Sequence, residues 1–194
     1  MDDRLRDVIV AGHAGDEQVA RAGVSDPSPD VRAAALGALA RLGALTAHDV
    51  RSALADPERV VVLRAVELAI PVREVDLVGT TTSRDSTVVE AAAWALGERG
   101  DGQSADVVPR LVVLATDHTD ALVREAAVAA LGSIGDLAGL PAVLRATGDK
   151  AAVRRRAVVA LAAFDGPEVE AALHRATEDR DWQVRQIAED LLAP

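Results

Sequence analysis

One segment recurs along the chain, and this repetition constrains the fold more than any single motif. Its clearest copy covers residues 120–135 and reads DALVREAAVAALGSIG. Alignment on Val123 of this copy reveals five further copies, spaced 27 to 35 residues apart. The six anchor valines are Val31, Val61, Val88, Val123, Val153 and Val184. A repeat that covers nearly a whole chain predicts an array of similar structural units.

Each copy has the pattern of an α-helix that packs closely against its neighbours. In the clearest copy, Val123, Ala127, Ala130 and Leu131 follow helical spacing and form one apolar stripe. Four residues after each anchor stands an alanine: Ala35, Ala65, Ala92, Ala127, Ala157 or Ala188. Aromatic residues make up only 2% of the chain, so the core has to be built from Ala, Val and Leu. This composition favours many thin contacts between helices over one bulky centre.

A second, looser helix precedes each copy, and a turn rich in Asp, Pro and Ser separates the two. We predict these first helices over residues 17–23, 46–55, 72–77, 105–116, 137–146 and 167–176. Polar loops are predicted at 79–86 and 97–104, and residues 1–15 read as a charged, irregular N-terminal cap. Since one helical pair cannot bury its apolar stripe alone, the pairs must stack. The prediction is an all-α fold in which residues 1–194 form a single right-handed α-solenoid of about six helix-turn-helix units.

This repeat resembles the HEAT repeat family, and in particular the short HEAT-like repeats of bacterial proteins related to phycobilisome lyases. The resemblance is carried by the turn Asp, the Val-Arg pair, the alanine four residues on and the Ala-Leu-Gly near the end, all present in residues 26–43 and 120–135. It implies that the Arg after the anchor reaches the turn Asp of a neighbouring repeat. Val62 and Val89 replace that Arg in two middle copies. It also implies that the second helices line a concave surface.

Composition excludes several classes of function. The net charge of −10 repels phosphate backbones, so nucleic acid is not expected as a partner. There is no cysteine, which excludes disulfides, thiolate metal sites and a Cys nucleophile. No apolar run approaches the length of a membrane span, and no membrane partner is predicted. We expect a cytoplasmic protein, monomeric and without a cofactor.

Enzyme classes found on related repeats fit the sequence poorly. Deoxyhypusine hydroxylase, a HEAT-like di-iron enzyme, uses repeated His-Glu pairs, whereas no histidine here is followed by Glu and only His48 is followed by an acid, Asp49. HEAT-like DNA glycosylases need a basic track, and the basic cluster here is confined to residues 145–156. A phycobilin-lyase-like enzyme or chaperone remains an alternative, although no distinctive catalytic residue supports it. The prediction is therefore a non-catalytic protein.

Protein recognition is the function that the repeat pattern favours. Positions two, three and six after each anchor should point away from the core, towards a partner. The candidate partner-binding residues are Trp94, Glu90, Ala91, Glu125, Arg64, Glu67, Arg155 and Arg156. An exposed Trp on a floor of small residues, rimmed by charge, has the composition of an interface hot spot.

Two alternatives stay open at this point. Trp94 either stands at the centre of that surface or folds down to fill space between alanines. The run Arg154–Arg156 either forms a solvated helix face, with Arg154 in the Asp–Arg ladder, or contacts an acidic partner segment. Trp182, two residues before the last anchor, is predicted to be a packing residue of the terminal unit.

Overall fold

The computed structural model describes residues 3–100 and 105–193, and within these ranges it contains only helices, turns and loops. Contacts group the chain into two compact units, Met1–Thr80 and Thr81–Pro194. The predicted all-α class is thus confirmed for the described ranges. That the whole chain forms one continuous solenoid stays a prediction.

The described residues of unit 1 form five α-helices stacked in two layers. In order these are α1 (Asp3–Ala14), α2 (Glu17–Gly23), α3 (Pro29–Leu42), α4 (Ala47–Leu54) and α5 (Arg59–Ala69). Helices α1, α3 and α5 pack side by side in one layer, while α2 packs on α3 and α4 packs on α5 in the other. Successive helices lie in opposite layers, because a short turn joins each first helix to the second helix that packs on it.

Unit 2 has the same pattern, with seven α-helices among residues 81–100 and 105–193. These are α6 (Ser86–Arg99), α7 (Val107–Asp117), α8 (Ala121–Ile134), α9 (Leu140–Ala146), α10 (Ala151–Ala160), α11 (Pro167–Ala176) and α12 (Trp182–Leu192). Helices α6, α8, α10 and α12 form a row of second helices, each packed on the next. Helices α7, α9 and α11 lie in the other layer, packed on α8, α10 and α12 in that order.

The predicted repeat register matches the burial. All six anchor valines are buried, with exposed fractions of 4% or less. The alanine four residues after each anchor is 0% exposed in every copy. A fully buried position that is alanine in all six copies is one where neighbouring helices are closely packed.

Two segments differ from the predictions. The N-terminal stretch is not irregular: α1 is a regular helix whose Val8, Ala11 and Gly12 are buried, and it fills the place of a second helix beside α3. Residues 1 and 2 of that predicted cap lie outside the described residues. The predicted helix over 72–77 is wrong, because those residues form turns. Asp76 caps this region instead, accepting hydrogen bonds from the backbone N–H groups of Val78 (2.8 Å) and Gly79 (3.3 Å).

The two predicted loops also contain ordered structure. Residues Gly79–Thr82 form a short 3₁₀ helix within the predicted polar loop. In unit 2, Thr81 is buried, and Arg110 donates to its hydroxyl oxygen and its carbonyl oxygen, both at 2.7 Å. The second loop begins later than predicted, since α6 continues to Arg99 and Gly100 ends it in the left-handed conformation. The remainder of that loop, 101–104, lies outside the described residues.

Candidate partner-binding surface

In unit 2, the row of second helices presents one side to solvent. The anchor valines and the alanines four residues later point inward, so positions two, three and six after each anchor face outward. Every one of these positions in α6, α8, α10 and α12 is partly or fully exposed: Glu90, Ala91, Trp94, Glu125, Ala126, Ala129, Arg155, Arg156, Val159, Gln186, Ile187 and Asp190. These positions of unit 2 therefore face solvent, as the repeat register predicts for residues on the outward side of the second helices.

Trp94 is the largest apolar side chain on this surface. Its exposed fraction is 46%, so it neither fills the core nor projects freely. Glu90 and Ala91 lie one helical turn before it on the same face of α6. On α8, Ala126 and Ala129 are partly exposed and carry only methyl groups. A half-exposed indole beside such a low floor leaves aromatic surface for a partner to cover.

Opposite charges pair across two helices of this surface. The Arg156 Nη2 atom of α10 lies 3.7 Å from Glu125 Oε1 of α8. The pair is partly exposed, so its contribution to stability is small. Glu125 therefore already has a counterion within the protein, Arg156. Glu90 has no such cation among the residues that the structure describes.

Glu90 stands out electrostatically. Burial raises the pKa of its carboxyl group, and the neighbouring negative charges of Asp120 and Glu125 raise this pKa further. Ionisation of Glu90 is thus less favourable in the folded chain than in the unfolded one, and its charge opposes folding at neutral pH. Perturbed carboxyl groups of this kind cluster at functional sites.

Replacement of Glu90 by glutamine is expected to raise the melting temperature at pH 7 by roughly 1–2 °C, since it removes this unfavourable charge. A carboxyl pKa that is raised on folding destabilises the fold above that pKa, and the effect vanishes below the unfolded value. Wild type and Glu90→Gln should therefore melt together at a pH below about 4. Calorimetry across that pH range measures the difference. A lower melting temperature of the variant at pH 7 would contradict the assignment.

Arg155 is held by the start of the next helix. It hydrogen-bonds to Gln183, and its Nε atom lies 3.9 Å from Asp181 Oδ2. Asp181 caps α12 by accepting a hydrogen bond from the Gln183 N–H at 2.9 Å. Of the two predicted contact arginines, Arg155 therefore joins α10 to α12, whereas Arg156 lies on the exposed side.

The Asp–Arg ladder implied by the family resemblance is present. Arg32 bonds both carboxylate oxygens of Asp56 at 2.8 Å, Arg124 bonds those of Asp149 at 2.7 Å, and Arg154 bonds those of Asp179 at 2.9 and 2.8 Å. Each rung joins one repeat to the next in the bidentate geometry that arginine prefers. Arg154 thus belongs to the ladder and not to the exposed face.

Unit 1 carries the remaining two candidate residues. Arg64 Nη1 donates to Glu67 Oε2 at 2.8 Å, one turn along α5. The same guanidinium lies over α3, because a Cβ on Gly37 would be only 2.5 Å from Arg64 Nη2. The sequence pattern placed Arg64 on the outward side of α5. It did not predict this contact, which depends on the glycine at position 37 of the facing helix α3.

The prediction for Trp182 is wrong. Its side chain is 66% exposed, more than that of Trp94, and so it does not pack the terminal unit. Trp182 is the first residue of α12, directly after the capping Asp181.

A search of the described residues for metal-binding chemistry finds no cluster of three or more His, Asp or Glu side chains that could hold an ion. Asp49, the acid beside His48, is engaged structurally: it accepts hydrogen bonds from the Thr46 hydroxyl at 2.7 Å and from Arg21 at 2.7 Å. The bridge from Arg21 joins α2 to α4 and was not anticipated from the sequence. No described helix is both long and apolar enough to cross a membrane.

Stacked helical pairs with an arginine ladder define a helical-repeat protein. The profile of HEAT repeats matches residues 76–152, in agreement with the resemblance carried by the repeated segment. Among curated protein sequences, none matches this chain significantly.

Solved structures agree with this fold. A designed armadillo repeat protein in complex with the peptide (KR)4 has a TM-score of 0.66 at 17% identity, covering 91% of this chain and 97% of that one. Escherichia coli YibA gives a TM-score of 0.70 at 16% identity, covering 99% and 75%. Human deoxyhypusine hydroxylase in complex with glycerol gives 0.51 at 20% identity, covering 97% and 77%. Likeness at these identities shows the α-solenoid fold alone, because one fold serves both binding proteins and enzymes.

Proposed function

We propose that this chain is a non-catalytic scaffold that binds another protein through the exposed side of α6, α8 and α10. The observation that carries the proposal is the 46% exposure of Trp94 on α6, a helix that packs against α8, where Ala126 and Ala129 are partly exposed. Large aromatic side chains at the centre of small-residue surfaces supply most of the energy in many interfaces. Repeat proteins of this fold commonly mediate protein binding, and the designed armadillo neighbour was solved with a bound peptide.

Charge defines which partner segment suits this surface. Glu90 lacks a cation among the described residues, and its carboxyl group lies on the same helical face as the Trp94 indole. A lysine or arginine of the partner can stack on the indole and pair with Glu90 at the same time. Pairing would also relieve the repulsion between Glu90, Asp120 and Glu125. We therefore expect a partner segment with at least one basic residue.

Replacement of Trp94 by alanine should weaken partner binding about tenfold or more, as loss of a hot-spot residue does. The side chain is half-exposed, so the free energy of unfolding should fall by only about 1 kcal/mol, well short of the loss for a buried Trp. Affinity capture identifies a candidate partner, and calorimetric titration of the purified pair then measures the dissociation constant for each variant.

The chain offers a matched control in Trp182→Ala, which removes an equally large and more exposed indole outside the proposed surface. This control should leave the dissociation constant unchanged. Equal losses from both substitutions would show that Trp94 has no special role. Equal binding by all three proteins would move the interface away from α6, α8 and α10. Monomeric state and cytoplasmic location remain predictions.

A further inference from the structure

A groove of about 290 Å³ crosses the exposed side of unit 1, separate from the surface around Trp94. Its lining consists of Ile9 from α1, Ala33, Ala34, Gly37 and Arg41 from α3, and Arg64 from α5. The α3 residues share one side of that helix, since Ala33 and Ala34 lie about one turn before Gly37, and Arg41 lies about one turn after it. Because Ala33, Ala34 and Gly37 carry a methyl group or no side chain, the floor is low, while Ile9 and Arg64 border it from the neighbouring helices.

The guanidinium groups of Arg41 and Arg64 border this groove. Each lies over a glycine of the neighbouring helix in the row α1, α3, α5. A Cβ on Gly12 would be 2.7 Å from Arg41 Nη1, and one on Gly37 would be 2.5 Å from Arg64 Nη2. The absence of side chains at these two glycines allows the arginines to lie flat against the helix row. The positions of Arg41 and Arg64 therefore depend on glycine at Gly12 and Gly37.

Both arginines retain hydrogen-bond donors. Within the described part of the chain, Arg41 makes no ion pair or side-chain hydrogen bond. Arg64 uses Nη1 for Glu67, while its Nε and Nη2 atoms make no hydrogen bond to a described residue. Guanidinium groups are always charged and match the geometry of a carboxylate. In a chain of net charge −10, a groove with two such groups has an unusual local charge.

The floor between the arginines is apolar. Ile9 is 41% exposed, and Ala33 and Ala34 are partly exposed. The groove is open to solvent and shallow, so it suits the side chains of an extended segment and not an enclosed small molecule. Phosphate-rich nucleic acid is opposed by the overall negative charge.

We infer that the groove of unit 1 binds an acidic segment of a partner protein, in which an aliphatic side chain covers Ile9 and the alanines and an adjacent carboxylate pairs with Arg41 and Arg64. This site lies beyond the proposed surface on α6, α8 and α10, and it shares no residue with that surface. It defines a second contact with opposite charge preference.

The test is the binding of a short fluorescein-labelled peptide of alternating leucine and glutamate to the full chain, followed by fluorescence anisotropy. A peptide of alternating leucine and glutamine is the charge control. We expect the glutamate peptide to bind at least about tenfold more tightly than the glutamine peptide, because each charge-assisted hydrogen bond lost has that order of effect. Affinity of the glutamate peptide should fall with added salt.

Variants locate the binding site. Arg41→Gln should weaken binding of the glutamate peptide about tenfold, whereas Arg175→Gln, which removes the same charge from an exposed position on α11, should not. Ala34→Glu places a carboxylate on the floor of the groove, where it competes with the glutamates of the peptide for the two arginines. This variant should abolish binding of the glutamate peptide. Circular dichroism verifies that each variant is folded. Equal affinity for the two peptides, no binding of either, or equal losses from Arg41→Gln and Arg175→Gln would overturn the inference.

Trp94→Ala separates this inference from the proposed function. Binding of the glutamate peptide should be unchanged in that variant, whatever its effect on the natural partner. If Trp94→Ala abolished peptide binding, the acidic segment would lie in unit 2 and the assignment to unit 1 would be wrong.

Discussion

Replacement of Ala127 by leucine is expected to lower the free energy of unfolding by about 3 kcal/mol, at the upper end of the cost of overpacking. Ala127 is 0% exposed at the middle of α8, which packs against α6, α7 and α10. A leucine side chain needs space that only a shift of these helices can supply. Close-packed helices do not open locally without losing contacts elsewhere. Urea denaturation followed by circular dichroism measures the change.

The adjacent residue provides the control. Ala126 lies on the same helix but on the outward side, where it is partly exposed. Ala126→Leu should therefore change the free energy of unfolding by no more than about 0.5 kcal/mol. The two substitutions add the same volume and change helix propensity equally. The difference between their free energies of unfolding therefore reports which side of α8 faces the core. Equal effects, or an unchanged stability of Ala127→Leu, would show that the repeat register is wrong.

The register was predictable because the repeat amplifies weak local signals. A single Val with an Ala four residues later says little about packing, but the same pair in six copies identifies the position that every neighbour approaches. The same reasoning located the outward residues Glu90, Trp94 and Glu125, since facing follows directly from helical period. The resemblance to HEAT repeats implied the arginine ladder, which is present at Arg32, Arg124 and Arg154.

Features that depend on the neighbouring element were not predictable. The segment over 72–77 carries apolar residues with helix-like spacing, yet Pro71 precedes it and Asp76 caps a turn within it, and these local interactions prevail over the pattern. Trp182 is the first residue of α12 and is 66% exposed, and the repeat pattern did not specify which way the first residue of this helix faces. The groove around Gly37 depends on which side chain of α5 faces that glycine, and a single sequence does not contain this information.

Loss of a ladder arginine is the second large effect that the structure predicts. Arg124→Ala should lower the free energy of unfolding at neutral pH by about 2–3 kcal/mol, since it breaks a largely desolvated, charge-assisted pair. Arg124 bonds both oxygens of Asp149 at 2.7 Å and also donates to the His118 carbonyl oxygen at 2.8 Å. Its removal takes away both guanidinium hydrogen bonds to Asp149 and the hydrogen bond to the His118 carbonyl oxygen.

The pH dependence distinguishes this electrostatic loss from a loss of packing. The hydrogen bonds from Arg124 lower the pKa of Asp149 below its ordinary value. A carboxyl pKa that is lowered on folding stabilises the fold above the unfolded pKa of about 3.9, and that stabilisation disappears as the pH falls through the lower, folded pKa. The difference between wild type and Arg124→Ala should therefore be full at pH 7 and shrink below about pH 3.9.

Arg156→Ala is the matched control, because Arg156 makes one longer and more exposed pair with Glu125, at 3.7 Å. Its removal should cost less than about 1 kcal/mol. Chemical denaturation of the three proteins at neutral and acidic pH supplies the comparison. A loss in Arg124→Ala that persisted undiminished in acid would mean that the arginine acts through its aliphatic stem. The ladder would then align the repeats by packing and not by charge, and Val62 and Val89 would be conservative replacements instead of missing rungs.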